Sequence, residues 1–346
     1  MIEILKELIA IESISCNEEK IAGYIETLLK KQSGHTSRFG NNIVWKNDWE
    51  EGKSAIALGA HLDTVPFTAS DWQVTQPCQP LEKDGKIYGR GSCDMKAGAA
   101  IILDLIMKKD IGNRFNILCF FYEKEELGFP NGVTTLMEAG LFKNIDLCII
   151  PEPTECKINY GVFSNLYAKL TSKGVAVHSS KPKTGVNALY ELLPVIDKIR
   201  SLPLKMIDGV EEAISVNKIS GGNAINILPD KVEAFVDFRF DPNLTKKDVE
   251  KIFHSFETEN VKAEIQGIYP GIINDLKENQ LLSELMDFVD ESSIAPFWSD
   301  IGQLGQAGIP SVNYGPGSID MAHRIDEYVP IVDMHKVRTV IKAFLS

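Results

Sequence analysis

Three apolar runs in this chain stop at side chains that can hold a metal ion or move a proton. The run 55–60 ends in His61-Leu62-Asp63, the run 115–122 in Glu123, Glu125 and Glu126, and the run 147–150 in Pro151-Glu152. In open α/β sheets, ligands bind beyond the carboxyl ends of the strands. Side chains on three such ends would converge there. Two further candidates fall on loops: Asp94 in GRGSCDMKAG, just before an expected helix, and His323 in MAHRIDE, after the run 311–314. Imidazole and carboxylate suit zinc and similar divalent ions. Five such ligands are too many for one tetrahedral catalytic zinc that keeps a water. They suit two ions about 3.5–4 Å apart that share a carboxylate. Asp94, a short carboxylate on a loop between the others, fits the shared position best.

Each residue also has a plainer reading. Asp94 can cap the helix that follows, the glutamates can be a solvated charge run, and either histidine can be structural. The coincidence of three strand ends weighs against that, as does a His-x-Asp pair in which Asp63 can orient the His61 imidazole. The stretch FFYEKEELG adds a constraint. On a continuing strand, Glu125 and Glu126 point to opposite faces. For both to serve one site the chain must leave strand geometry, and Gly128 fits a turn there.

The elements that would position these residues alternate. Helices are expected at about 18–31, 96–108 and 134–139, and strands at 42–46, 55–60, 115–122 and 147–150. Strands alternating with helices argue for an α/β domain with a mainly parallel sheet. A last α/β piece comprises a helix at about 281–290, the run 311–314 and a helix at 332–345. Between 164 and 269 the rhythm changes to strand 166–173, helix 186–200, strands 213–219 and 232–240, helix 246–256 and strand 262–268. That β-α-β-β-α-β order is ferredoxin-like, although Pro194 weakens or kinks its first helix. The expectation is a discontinuous catalytic domain, 1–163 and 270–346, with a small α+β domain, 164–269, inserted into it. An open edge in such a small sheet is a natural place for a second subunit to pair.

Bulk properties agree with a soluble metal-binding chain. Its 346 residues suit two domains or one large one, and 44% apolar with 24% charged residues is ordinary for a globular protein. A formal net charge of -12 argues against a nucleic-acid or anionic-membrane partner. The six cysteines are scattered, with no C-x-x-C pair, and Cys119 and Cys148 sit inside apolar runs. No leader and no membrane-spanning run stands out, and a reduced cytoplasmic compartment is expected.

The motifs GAHLDTVP, GRGSCDMKAG, YEKEELG, PEPTE, VHSS with GVNA, GGNAINILPD, DFRFDP and GPGSIDMAHRIDE follow one another over essentially the whole length. In that combination the chain resembles the co-catalytic-zinc family of aminoacylases, carboxypeptidases and acyl-amino-acid deacylases. The resemblance implies two Zn2+ ions, with Co2+ or Mn2+ as alternatives. His61 and Glu152 would hold one, Glu126 and His323 the other, with Asp94 bridging. It makes Glu125 the general base, outside the metal shell. It places His178 of VHSS, otherwise a surface histidine at a strand end, at the active site of the partner subunit of a homodimer, donating to an oxyanion. The implied reaction removes a small acyl group from an N-acyl amino acid, with a dipeptidase or carboxypeptidase as the rival. A non-catalytic binding protein fits less well, because every expected position is filled.

A substrate with several carboxylates calls for cations. Arg239 in DFRFD is the leading clamp, because guanidinium binds carboxylate bidentately; it can instead pair with Asp237 or Asp241. Asn226 and Ser299 can offer neutral hydrogen bonds, and Arg324 is either a second clamp or a structural ion pair. Some members of the family carry arginines where this chain reads GVFSNLY, which leaves the acyl group open.

Overall fold

A computed structural model describes residues 1–346 except Lys277. The chain forms two compact units: Met1–Tyr160 with Asn274–Ser293 and Ala307–Ser346, and Gly161–Ile273 with Ile294–Gln306.

The centre of the first unit is a run of parallel strands in the order Asn116–Tyr122, Ala55–His61, Leu147–Ile150 and Ser311–Asn313. Leu58 lies opposite Cys119 on one side and Ile149 on the other. Antiparallel strands flank this core: Asn42–Lys46 and then His35–Phe39 beyond Asn116–Tyr122, and Asn159 paired with Asn313 on the far side. All residues of Ala55–His61 and Asn116–Tyr122 are buried. Strands covered on both faces read as continuous apolar runs rather than alternating ones. Helix Lys96–Met107 packs on Ala55–His61 and against helices Ile2–Ala10 and Ile331–Leu345. It is buried from Lys96 through Ile106, which is why its sequence shows no polar face. Because the strands run parallel, His61 pairs directly with Tyr122 at one edge of the sheet, and the Leu147–Ile150 strand ends toward the same edge. A small sheet sets Lys86–Tyr88 between Leu81–Lys83 and Tyr328–Pro330. It thereby ties together the loops that carry Asp94 and His323.

The second unit contains an antiparallel sheet in the order Ala213–Gly221, Lys231–Phe240, Ser164–Lys173, Val261–Tyr269. With helices Ala188–Arg200 and Lys246–His254 this is the ferredoxin-like arrangement. The alternating burial of Lys231–Phe240 puts Val232, Ala234, Val236, Phe238 and Phe240 into one core with Leu166, Leu192, Phe253 and Phe256. Each such large side chain contributes about 1.5–3 kcal/mol by leaving water.

The expected helix at 186–200 forms as Ala188–Arg200 and runs through Pro194, its start fixed by Asn187, whose side chain accepts from the Leu189 N–H at 2.9 Å. Two differences from the sequence reading have physical causes. The strand His35–Phe39 is largely exposed, so it lacks the apolar signal of its neighbours. Residues 294–306 fall in the second unit, where the Trp298 indole N–H donates to the Pro270 carbonyl at 2.8 Å and Tyr269 stacks edge-on against Trp298.

Candidate metal centre

The turn after Asn116–Tyr122 leaves strand geometry at once. Lys124 takes a left-handed conformation (φ +65°), Glu125–Leu127 form a 3-10 turn, and the Gly128 N–H closes it on the Glu125 carbonyl at 2.7 Å. A non-glycine residue at positive φ is uncommon and needs support from its surroundings. That support comes from Asp63, whose two carboxylate oxygens accept from the backbone N–H groups of Glu125 at 3.0 Å and Glu126 at 3.1 Å. Ser15 Oγ donates to the same carboxylate at 2.7 Å. The His61 Nδ1 is nearest the Asp63 backbone carbonyl, at 3.0 Å, with the carboxylate at 3.6 Å. Asp63 therefore sets the imidazole chiefly through its main chain and the glutamate turn through its side chain.

Asp94 lies between the two histidines. Its Oδ1 is 3.0 Å from His61 Nε2 and its Oδ2 is 3.2 Å from His323 Nε2. Glu152 Oε1 is 3.9 Å from His61 Nε2, and Glu126 Oε2 is 3.0 Å from His323 Nε2. His61, Asp94 and Glu152 offer one compact donor set, and Asp94, Glu126 and His323 a second. A third set joins His61, Glu125 and Glu126. Asp94 belongs to two sets, with one oxygen toward each imidazole, which is the disposition a carboxylate shared by two cations needs. The helix-cap alternative for Asp94 is not realised: the cap residue is Met95, which makes no side-chain capping bond.

The electrostatics suit cations. Burial alone would depress the His61 imidazole, but Asp94, Glu152 and Glu125 outweigh it and hold the group well above its ordinary value. Hydrogen bonds to Asp94 and Glu126 carry His323 up to about 10. Burial would raise Asp94, yet His323 and His61 hold it well below the usual carboxylate range. Glu126 is pushed up by burial and by Asp94, with His323 opposing. Carboxylates packed this closely each favour a positive neighbour, and imidazole with carboxylate is a donor set for zinc, cobalt or manganese.

His178, Asn226, Arg239 and Ser299 lie in the second unit, and Arg324 in the first. His178 is exposed; its Nδ1 sits 2.8 Å from Ser180 Oγ. The neighbouring Ser179 N–H donates to the Asn226 carbonyl at 2.9 Å, so the VHSS and NAINILP loops adjoin. Arg239 takes the pairing held as its structural alternative: Nε and Nη2 bind the Asp237 carboxylate at 3.0 and 3.2 Å. Ser299 is buried, its carbonyl accepting from Gly302 N–H at 3.0 Å. Ser15 was not foreseen from the sequence. No motif marks it, and it reaches Asp63 from 48 positions away.

Paired histidines and carboxylates at the edge of an α/β sheet make a candidate two-metal centre. Residues 57–346 match the model of peptidase family M20/M25/M40, and the chain belongs to that family. It is 29% identical to a succinyl-diaminopimelate desuccinylase of Corynebacterium glutamicum, over 100% of this chain and 96% of that protein. It is 27% identical to an acetylornithine deacetylase of Myxococcus xanthus, over 87% and 82%. Among solved structures, a tripeptidase of Staphylococcus aureus superposes with a TM-score of 0.84 at 23% identity, covering 99% of this chain and 96% of that one. No helix among the described residues is long and apolar enough to cross a membrane.

Proposed function

We propose that the protein is a dizinc amidohydrolase that cleaves N-succinyl-LL-2,6-diaminopimelate to succinate and LL-diaminopimelate. The observation that carries the metal chemistry is Asp94 shared between the His61–Glu152 and Glu126–His323 donor sets. Support for the succinyl substrate comes from the end-to-end match to the Corynebacterium desuccinylase. The stretches FWSDIGQLGQAGIPSVNYGPG and AHRIDEYVPI point the same way. In this reading His61 and Glu152 hold one ion, Glu126 and His323 the other, and Asp94 both; Co2+ or Mn2+ would fit the same donors.

The bound ions would supply Lewis acidity to the water and the amide carbonyl. Glu125 takes the proton from the attacking water as the C–O bond forms, then delivers it to the leaving amine as the C–N bond breaks. Asp63 keeps Glu125 and Glu126 in their turn. His178 donates a hydrogen bond to the developing oxyanion, reaching the site of the partner in a homodimer. Arg239, held in place by Asp237, meets a substrate carboxylate through its remaining N–H donors, with Asn226 and Ser299 as neutral donors. Support for the dimer lies in the strand Ala213–Gly221, an edge strand that is mostly exposed. The six cysteines, none of them in a disulfide among the described residues, fit a cytoplasmic enzyme.

A second reading keeps the chemistry and changes the acyl group to acetyl. It is favoured by the match to the acetylornithine deacetylase and by the lack of an arginine in GVFSNLY. Initial rates of zinc-loaded protein on succinyl-diaminopimelate, N-acetylornithine and a dipeptide panel decide between them. Preference for the succinyl substrate by at least about tenfold in kcat/KM is expected, a difference of about 1.4 kcal/mol; preference for another member of the panel overturns the assignment. Glu125→Gln should lose about 10²–10⁴-fold in turnover with metal content unchanged; retained turnover would refute the base.

A further inference from the structure

We propose that Glu327 is a positioning residue that fixes the Asp94 loop against the His323 loop and so sets the spacing of the metal ligands. Glu327 is fully buried. Its Oε1 accepts from the backbone N–H groups of Cys93 at 2.8 Å and Asp94 at 3.1 Å. Its Oε2 accepts from the Gly91 N–H at 3.1 Å and from Arg90 Nη1 at 2.8 Å. Four donors converge on two oxygens, two on each. The Glu327 backbone carbonyl takes a fifth bond, from the Gly89 N–H at 3.0 Å.

Successive backbone N–H groups turned onto one anion form a nest. Here the anion is a side chain of the chain itself, and the last N–H belongs to the residue whose carboxylate stands between His61 and His323. Gly91 is required for this turn: its φ is +78°, and a Cβ there would meet Thr64 Cγ2 at 2.9 Å. Glu327 lies four residues after His323, and Arg90 Nη2 also donates to the His323 carbonyl at 3.4 Å. The Glu327–Arg90 pair therefore grips the backbone of both ligand-bearing loops. Replacing one oxygen by an amide NH2 turns a donor toward N–H donors and leaves buried groups unpaired.

This inference rests on the reading of the cluster as a two-metal centre. The test is stepwise Zn2+ binding to the full-length protein by competition with a chromogenic chelator, together with the visible absorption of the Co2+-loaded protein. For Glu327→Gln the affinity for at least one ion should fall about 10–100-fold, and the cobalt bands should shift. Asp104→Asn serves as a stability control: it removes a buried ion pair on the following helix, and it should lower Tm while leaving affinity and spectrum at wild-type values. Glu327→Asp should recover part of the affinity. Should Glu327→Gln fail to fold, Arg90→Gln replaces it, with a smaller loss and the same spectral change expected. Wild-type affinities and spectrum in Glu327→Gln, or in Arg90→Gln as its replacement, would overturn the proposal. A wild-type chain that binds fewer than two ions would remove the metal reading and this proposal with it.

Discussion

Asp63 Oδ2 accepts the backbone N–H of Glu126 at 3.1 Å, so the residue two places beyond one candidate metal ligand holds the main chain of another. With Asp63 Oδ1 on the Glu125 N–H and Ser15 on Oδ2, the carboxylate accepts from three donors. Asparagine keeps one acceptor oxygen but places an NH2 against a backbone N–H, and an unpaired buried donor costs about 1–3 kcal/mol. Asp63→Asn is therefore expected to lower both metal affinity and kcat/KM by about 10–100-fold. Metal-to-protein ratios after dialysis, measured alongside steady-state rates, check this; wild-type values for both would show that the turn holds without the charge.

Removal of the ions should destabilise the chain. His61, Asp94, Glu126, Glu152 and His323 crowd together, and a ligand that binds only the folded state at about 100 times its Kd adds about 2.7 kcal/mol. Calorimetry with and without a strong chelator should show a fall of several degrees in Tm, recovered by Zn2+. A Tm indifferent to chelation and to added zinc would count against these residues as a tight metal site.

The ends of the buried strands were legible in the sequence because His61, Glu126 and Glu152 each follow an unbroken apolar run, and a run of that kind must stop where the sheet stops. The turn at 124–128 was legible in outline, since two adjacent glutamates cannot serve one site from a strand. The supports of these ligands were not legible. Ser15 meets Asp63 across 48 positions, and Arg90 meets Glu327 across 237; nothing local distinguishes such a serine or glutamate from a solvated one. The second unit was readable from the alternation of Lys231–Phe240. Its extra piece, Ile294–Gln306, was not, because it joins that unit through tertiary contacts such as Trp298 to Pro270.

His178 offers a sharper separation between binding and chemistry. It lies in the second unit, bonded to Ser180, while the donor sets for metal lie in the first. His178→Ala is expected to leave two ions bound and to cut kcat by about 10²–10³-fold, the usual effect of removing one oxyanion donor. Unchanged kcat would refute the oxyanion role. A loss of metal would mean that the residue acts on the centre itself.

Acid stability should trace to Asp104 on helix Lys96–Met107. Burial would raise this carboxyl, but the Met1 amino group, Arg338 and Lys108 more than reverse that and bring it down to about 2 from an ordinary 3.8. A depressed carboxylate stabilises the fold above its unfolded pKa, and the contribution disappears as pH falls through the folded value. The wild-type advantage over Asp104→Asn should thus be full above about pH 4, on the order of 2 kcal/mol, and should shrink between about pH 4 and pH 2. Urea unfolding of both proteins across that window measures it. A stability difference that stays constant with pH would mean that folding does not depress this carboxyl.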